Sequence, residues 1–403
     1  MRSFDDYSAE SMRALRTMKW SVPTFVEHIK APPLRGHWVA EMDFQPCPEV
    51  AAALHETVES GYTGYPPCWL KDQMVRAAAQ FYKAQYDWEV YPRWITPIMS
   101  VLDAFRAFLH MLPANSQVIV PTPAYMPFLT SPQQVGHTVV EVPARYTRTG
   151  HALSWELDFA AIETAATQGA AGLVLCNPWN PTGRALTLEE LKKVSELAQK
   201  YGFLVFADEI HAPLVLAGTK HIPYLTVAPQ NQHHTIAATA ASKGFNVAGL
   251  HCAQAIVSPD SELYPQWERL SYVLGWAAPL GLKSTIAAYT RAGTWLTNVR
   301  DYLADNLLQA DQLFAKFNAE GGDLAWQLPQ AGYLGFLRFP TDMGLAKNES
   351  LAESLYRETG VLTNPGETLG ADYPNYVRFN FASSRVVVEE SLELVLDFVK
   401  KHS

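Results

Sequence analysis

The sequence predicts an α/β protein with a mostly parallel sheet covered by helices and a second, smaller α+β domain. Two short apolar runs, 173–176 and 203–207, are bounded by turn residues and separated by one amphipathic segment, as in a β-α-β unit. Similar runs at 117–120 and 235–238 extend the predicted sheet. Beyond residue 293 a long helical segment precedes short strands and a final helix, which indicates the smaller domain.

The helix between the first two runs has clear ends. Thr187 and Glu190, three residues apart, have the pattern of a capping box, and Gly202 follows the last periodic residue. Ligands of parallel sheets bind beyond the carboxyl ends of the strands. The polar residues that follow these two strands are therefore expected at a binding site: Asn177, Asn180, Asp208 and His211.

Composition narrows the class of protein. The chain has 403 residues, of which 48% are hydrophobic, enough for two cores. The net charge of -9 includes no basic run, so we expect no nucleic-acid partner. No apolar segment approaches the roughly 18 residues of a membrane span. The acidic start of the chain does not resemble a signal peptide, so we expect a cytoplasmic protein without a membrane partner.

The four cysteines are widely spaced and form no Cys-x-x-Cys pair. This spacing favours a reducing compartment over a disulfide framework, and we expect no metal site.

We expect three parts along the chain. Residues 1–48 form an N-terminal arm and part of the small domain, residues 49–292 form the large domain, and residues 293–403 form the small C-terminal domain. Within the large domain, the Gly- and Pro-rich segment 61–67 predicts a loop between two helices.

Two further features lie at predicted strand ends. Ser100 and Asp103 mark a helix N-terminus, which could hold a phosphate or could be a plain capped helix. Tyr125 follows the strand at 117–120, and Lys243 follows the strand at 235–238. A lysine there is unusual, because lysines normally lie on exposed surfaces.

These side chains are the parts needed to hold and use pyridoxal 5'-phosphate (PLP). A lysine amine can form a Schiff base with the cofactor aldehyde and carry a proton. A carboxylate can keep the pyridine nitrogen protonated, so that the ring accepts electrons. A helix N-terminus can hold the phosphate.

The motifs also resemble a known family. The segments 177–184 (Asn-Pro-Trp-Asn-Pro-Thr-Gly-Arg), 207–211 (Ala-Asp-Glu-Ile-His) and 242–250 (Ser-Lys-Gly-Phe-Asn-Val-Ala-Gly-Leu) are similar to those of the class I/II aminotransferases, which are fold-type I PLP enzymes. Shorter matches extend the resemblance over nearly the whole chain, at 38–44, 64–66, 123–125, 364–366 and 377–382.

The resemblance implies a role for each matching residue. Lys243 would be the Schiff-base lysine, and Asp208 would pair with the pyridine nitrogen. Asn180 and His211 would face the phenolic oxygen, and Tyr125 would stack on the ring.

The remaining implied roles concern the phosphate, the substrate and the partner subunit. Ser100, Val101 and Leu102 would form the phosphate-binding helix start, with Ser242 on the same side. Arg378, together with Asn180, would bind the substrate, the arginine through the α-carboxylate. The family also implies a homodimer with shared active sites, in which Tyr65 reaches the partner's cofactor phosphate.

One departure indicates a branch of the family. Many aminotransferases have an arginine eight residues after the lysine, where this chain has His251. The segments around Lys243 and at 38–44 resemble instead the cystathionine β-lyase or C-S lyase branch, of the MalY/PatB type. Trp179 and Ala240 differ from what that branch usually shows, which leaves the phosphate contacts open.

Three functions remain open from the sequence. The first is a C-S β-lyase that cleaves L-cystathionine or another S-substituted cysteine to thiol, pyruvate and ammonia. The second is an aminotransferase, which shares every step up to the carbanion. The third is a PLP-bound regulatory protein that binds another protein. Composition and periodicity do not separate them.

Overall fold

A computed structural model describes residues 3–345 and 349–403 of the chain. The α-helices within these ranges are α1 (Ala9–Leu15), α2 (Pro48–Glu59), α3 (Cys68–Tyr86), α4 (Val101–Met111), α5 (Met126–Gln134), α6 (Phe159–Thr167), α7 (Leu188–Tyr201), α8 (Ala241–Gly244), α9 (Tyr264–Ser271), α10 (Pro279–Arg291), α11 (Gly293–Ala319), α12 (Leu351–Thr359) and α13 (Arg385–His402).

The strands within the same ranges are β1 (Arg35–Gly36), β2 (Ile95–Ile98), β3 (Gln117–Thr122), β4 (Thr138–Pro143), β5 (Arg145–Thr149), β6 (Ala152–Glu156), β7 (Gly172–Cys176), β8 (Leu204–Asp208), β9 (Thr235–Ala240), β10 (Ala253–Ile256), β11 (Leu334–Arg338), β12 (Val361–Leu362), β13 (Asn364–Pro365) and β14 (Tyr376–Asn380).

The central sheet has seven strands in the order β2-β10-β9-β8-β7-β3-β4. Strand β10 is antiparallel to both of its neighbours, and the other pairs are parallel. Alternate residues of β8 enter different cores: Val205 and Ala207 join one, and Phe206 joins the other. Helices cover both faces of the sheet, so the predicted α/β architecture is confirmed.

The predicted β-α-β unit is confirmed in detail. Strands β7 and β8 are parallel neighbours. In α7 the hydroxyl of Thr187 accepts from the backbone N–H of Glu190 at 3.2 Å, and Glu190 Oε2 accepts from the N–H of Thr187 at 2.9 Å. Gly202 ends the helix with φ 75°, a conformation that glycine adopts without the steric conflict of a side chain.

The smaller α+β part is also present. Strands β11, β14 and β13 form an antiparallel sheet, and α12 and α13 pack with it. Strand β1 pairs in parallel with β12, which joins residues 35–36 to the C-terminal part of the chain. The domain boundaries at residues 48 and 292 remain a proposal.

The N-terminal segment differs from a loose polar arm. It contains α1, and its buried side chains include Tyr7, Met12 and Trp20. These apolar residues are too widely spaced to give a helical or strand period, so the sequence pattern does not reveal their burial. Within the described ranges, no helix has both the length and the apolar character required to cross a bilayer.

Candidate active site

Two neighbouring strands bring Asp208 and Lys243 to one edge of the sheet. Asp208 is the last residue of β8, and Lys243 lies in the short helix α8 directly after β9. Strands β8 and β9 are parallel and hydrogen-bonded to each other, so their carboxyl ends lie side by side. The strand-end rule thus placed both residues correctly at this edge.

Asp208 is a buried carboxylate, with 5% of its surface exposed. Its Oδ1 accepts a hydrogen bond from the Ile210 N–H at 3.1 Å, and Cys176 Sγ lies 4.0 Å from Oδ2. Burial raises the pKa of Asp208 to about 7, although the Ile210 hydrogen bond and the charge of Lys243 oppose the shift. A positive charge beside this carboxylate would restore its ionised form.

Lys243 is prepared for nucleophilic chemistry. Its Nζ donates to the carbonyl oxygen of Ala40 at 2.7 Å. Burial and the positive charge of Arg378 lower the pKa of Lys243 to about 8, against the opposing effects of Asp208 and Glu41. Roughly one-tenth of the amine is therefore neutral at pH 7, compared with well under a thousandth for an ordinary lysine.

The segment 37–44 forms a loop beside Lys243, and polar contacts fix it there. Tyr333 Oη donates to the same Ala40 carbonyl at 2.9 Å. Asn380 Nδ2 donates to the carbonyls of Val39 at 2.6 Å and Glu41 at 2.7 Å. Sequence reasoning missed Tyr333, because no motif includes it and only the fold brings it to this loop.

Arg378 lies on β14 with 5% of its surface exposed. Its Nη2 donates to Asn364 Oδ1 at 2.7 Å and to the Trp38 carbonyl at 3.0 Å, and its Nη1 donates to Asn180 Oδ1 at 3.3 Å. Among the described residues, its buried Nε has no hydrogen-bond partner. Burial lowers the pKa of Arg378 to about 10.

These contacts suit the binding of a carboxylate. Among the described residues, no carboxylate acts on the Arg378 guanidinium, which is therefore a buried cation without a paired charge. Asn364, opposite Arg378 in the β13–β14 register, orients the guanidinium. The family resemblance at 364–366 identified this segment, but it did not predict the hydrogen bond between Arg378 and Asn364.

His211 and Tyr125 also lie at the sheet edge. His211 is 5% exposed, and burial lowers its pKa to about 3, with the charges of Lys243 and Arg378 adding to the effect. The imidazole is therefore neutral at pH 7. Tyr125 follows β3 at the start of α5, and burial raises its pKa, so it is an uncharged phenol.

Trp179, to which the sequence assigned no role, supports the Tyr125 loop. The Trp179 side chain is 3% exposed, and its Nε1 donates to the carbonyl of Pro123 at 2.8 Å.

Strand register brings two helix starts close together. Ile98 of β2 and Ala240 of β9 both pair with Ala253 of β10, so the strand ends that lead into α4 and α8 are separated by two strand spacings, roughly 10 Å. Ser100, Val101 and Leu102 lie at the first of these starts, and Ser242 lies in the second helix.

The helix start at Ser100 is capped as predicted. The Ser100 hydroxyl accepts from the Asp103 N–H at 3.2 Å and donates to Asp103 Oδ2 at 2.7 Å. The N–H groups of Val101 and Leu102 begin α4, where no preceding helical carbonyl can accept from them. They and the helix dipole can attract a phosphate.

The structure does not bring Tyr65 into this group of side chains, whereas His251, two residues before Ala253, lies at the same end of β10 as the two helix starts. Tyr65 is 86% exposed, and its ring packs edge-on against Trp276 with 6.4 Å between centroids. His251 is exposed and has φ 48°. A role for Tyr65 therefore depends on a second subunit.

The residues of this edge fit PLP by their chemistry. A buried carboxylate, an amine of lowered pKa, an uncharged tyrosine and a helix N-terminus lie around one position. In the part of the chain that the structure describes, no cluster of three or more His, Cys, Asp or Glu side chains could hold a metal ion.

Comparison with known proteins identifies the family. Residues 39–395 match the family described as aminotransferase class I and II. The chain is 32% identical to a cystathionine beta-lyase of Corynebacterium glutamicum over 96% of this chain and 97% of that protein. It is 30% identical to the cystathionine beta-lyase PatB of Bacillus subtilis strain 168, over 89% and 90% of the two chains.

A solved structure gives the same result. The fold matches the crystal structure of a provisionally assigned PLP-dependent beta-cystathionase from Corynebacterium diphtheriae with a TM-score of 0.85 and 34% identity, over 98% of this chain and 99% of that one. Sequence motifs, fold and relatives agree, and the chain belongs to the class I and II aminotransferase family.

Proposed function

We propose that the protein is a PLP-dependent carbon-sulfur β-lyase that cleaves L-cystathionine or another S-substituted cysteine to thiol, pyruvate and ammonia. One observation carries the chemical part of the proposal: a lysine amine with a pKa of about 8 lies at the same sheet edge as a buried carboxylate. Relatives named cystathionine beta-lyase, at 30% and 32% identity over most of the chain, support the choice of reaction.

The proposed roles follow from the position of each side chain. Lys243 would hold the cofactor covalently and, once the substrate amine has displaced Nζ from that bond, the freed Nζ would take the substrate Cα proton. Asp208 would stabilise a positive charge on the cofactor ring, and Tyr125 would supply an aromatic surface for that ring. When bound, PLP supplies an electron sink for the electrons of the broken Cα–H bond.

The phosphate and the substrate are held by separate groups. The backbone N–H groups of Val101 and Leu102, with Ser100 and Ser242 beside them, bind the phosphate. Arg378 binds the substrate α-carboxylate, and Asn180 holds the guanidinium in place. As the Cβ–S bond breaks, the sulfur leaves as a thiolate and takes up a proton, and the released aminoacrylate hydrolyses to pyruvate and ammonia.

The product ratio tests this reaction. With a β-thioether amino acid, we expect equal amounts of thiol, pyruvate and ammonia. Elimination requires only that the Cβ–S bond align with the π system, whereas transamination also requires a directed proton transfer and retention of a keto acid. We expect conversion to the pyridoxamine form to be at least about a hundredfold slower, a difference of about 2.7 kcal/mol in barrier.

An aminotransferase is the alternative, and it is favoured by the name of the matched family. Rapid amino transfer from an ordinary amino acid to 2-oxoglutarate, without thiol release from cystathionine, would establish that alternative. S-methylcysteine and alanine form a matched substrate pair, because only the first carries a leaving group on Cβ.

A homodimer with shared sites is part of the proposal. Large apolar side chains near Tyr65 are exposed on one chain: Trp69 at 52%, Tyr272 at 78%, Val273 at 80% and Trp276 at 58%. Large apolar side chains that are exposed on one chain favour an interface between copies. In such a dimer Tyr65 would contact the cofactor phosphate of the partner.

Subunit mixing tests the shared site. We expect Lys243→Ala to be inactive and Tyr65→Phe to be weak. A mixed dimer holds one native pair, Lys243 of one subunit with Tyr65 of the other, so a 1:1 mixture should recover up to about one quarter of wild-type activity. If Tyr65 acted within its own subunit, or if the protein were monomeric, mixing would recover nothing. Tyr91→Phe, at another exposed tyrosine, is the control.

The cytoplasm is the proposed location. All four cysteines are free in the structure, as is typical of a reducing compartment. Cell fractionation followed by thiol labelling would test this.

A further inference from the structure

We propose that Lys19 is a positioning residue, whose buried ammonium group holds the 37–44 loop so that the Ala40 carbonyl faces Lys243. The inference rests on the proposed function only in giving Lys243 a catalytic role. We call the contacts of Lys19 and Asp43 with the 37–44 loop and with residues 382–383 the latch. These contacts do not depend on the role of Lys243.

The Lys19 side chain is fully buried, with 0% exposure. Its Nζ lies 3.1 Å from Asp43 Oδ2, 3.1 Å from the Ser383 hydroxyl and 3.2 Å from the Ala382 carbonyl. One ammonium group thus joins the N-terminal segment, the 37–44 loop and the residues that follow β14. Fully buried lysines are rare, so this arrangement requires a physical reason.

Further contacts surround Ala40 on both sides. The Lys19 N–H donates to Glu41 Oε1 at 3.1 Å, and Trp38 Nε1 donates to the Lys19 carbonyl at 3.1 Å. These two contacts use the Lys19 main chain and do not depend on its side chain, whereas Lys19 Nζ reaches Asp43 and also lies 3.5 Å from the Glu41 carbonyl oxygen, next to Ala40. The latch therefore acts on the backbone that accepts the Lys243 hydrogen bond.

Asp43 completes the latch. Its Oδ1 accepts from Trp20 Nε1 at 2.8 Å, and its Oδ2 accepts from the Ser383 hydroxyl at 2.5 Å. The backbones at Gly36 and Lys19 lie very close together, because a Cβ at Gly36 would be 2.0 Å from the Lys19 carbonyl oxygen. The N-terminal segment is seated against β1 as well as against the loop.

A buried ion pair contributes little net stability compared with apolar residues of the same volume, whereas loss of one partner leaves an uncompensated charge. Stability alone therefore does not explain why Lys19 and Asp43 are buried together. Placement of the loop explains it, because the ammonium group joins three chain segments at once. A short apolar side chain could not fix the positions of these segments relative to one another.

The test compares Lys19→Met with the double variant Lys19→Met/Asp43→Asn. The double variant removes both charges, keeps an oxygen to accept from Trp20 Nε1 and gains an amide N–H that can donate to the Ser383 hydroxyl, so it should fold even if the single variant does not. Lys192→Met, on the exposed face of α7, is the matched control.

The first readout is amide hydrogen exchange of residues 37–44 in protein stripped of ligand. We expect faster exchange in the double variant than in wild type and in the control, with the other loops unchanged. This measurement does not involve the cofactor.

The second readout is the pH dependence of covalent cofactor uptake, for which wild type should have an inflection near the Lys243 pKa of about 8. Burial is the main cause of that low pKa, so a displaced loop that admits water should move the inflection upward. Asp208 and Arg378, which act on Lys243 from other elements, are unchanged. Glu41 lies on the loop and raises the Lys243 pKa, so its displacement opposes the change, but burial is the larger cause and sets the direction. We also expect kcat/KM to fall about 10- to 100-fold, as for a small misplacement of reacting groups.

Wild-type exchange and a wild-type inflection in the double variant would overturn the proposal, because Lys19 would then only balance the charge of Asp43. A wild-type protein that formed no covalent adduct would instead contradict the proposed function. The exchange measurement would still test the latch.

Discussion

Lys243→Ala should abolish both turnover and the visible absorption band of the loaded protein. Lys243 is the lysine at the sheet edge beside Asp208, and its amine has a pKa of about 8. Without it, neither covalent attachment of the cofactor nor removal of the substrate Cα proton has a group to perform it. We expect a loss of activity of at least about 10⁴-fold.

Borohydride reduction followed by peptide mass analysis checks the position directly. Wild type should carry the reduced cofactor on the peptide that contains Lys243, and the variant should carry none. Lys192→Ala is the control, since that lysine is exposed on α7. A Lys243→Ala protein with wild-type activity and a reducible adduct would contradict the assignment.

Substitution of Asp208 should impair catalysis while leaving cofactor binding intact. Asp208→Ala should still take up the cofactor on Lys243 but lose turnover by roughly 10³-fold or more, because a neutral pyridine ring is a poor electron sink. Asp208→Asn is the closest variant, as it keeps an oxygen for the Ile210 N–H and removes only the charge. Both variants should fold.

The measurement compares adduct yield with the rate of Cα-proton exchange in deuterated water. Asp301→Asn, at an exposed carboxylate, should match wild type in both. If Asp208→Ala exchanged the Cα proton at the wild-type rate, the carboxylate would have a structural role only. Its position at the strand end would then not indicate a role in catalysis.

Local patterns explain which elements the sequence predicts well. The helix α7 has a capping box, a helical apolar period and a terminal glycine, all within a short segment. Strand β10 has no such signal: Ala253–Ile256 is short, buried along its length and poor in β-branched residues. Its antiparallel pairing with β2 joins Ala253 to Ile98, a residue far away in sequence.

The same distinction applies to the candidate site. Asp208 and Lys243 follow strands, and parallel strands bring their ends together, so their proximity could be predicted. The contact between Tyr333 and Ala40 spans 293 residues and has no local pattern. Tyr65 could be assigned only by resemblance, and its exposure leaves that assignment to a test on two subunits.

The shifted pKa values of Asp208 and Lys243 also affect the stability of the folded protein without cofactor. Asp208, raised from 3.8 to about 7, disfavours folding increasingly as pH rises through that interval. Lys243, lowered from 10.5 to about 8, disfavours folding below about 8, and this effect fades towards pH 10.5.

The two groups therefore both lower the stability of the folded state by their full amount between about pH 7 and 8. A cationic ring beside Asp208 and a covalent bond to Lys243 would relieve both effects, so PLP would bind the native state in preference to the unfolded chain and stabilise it. Copies made when the cofactor is scarce would unfold more often and be degraded sooner. Vitamin B6 supply would thus set the abundance of this protein as well as its activity.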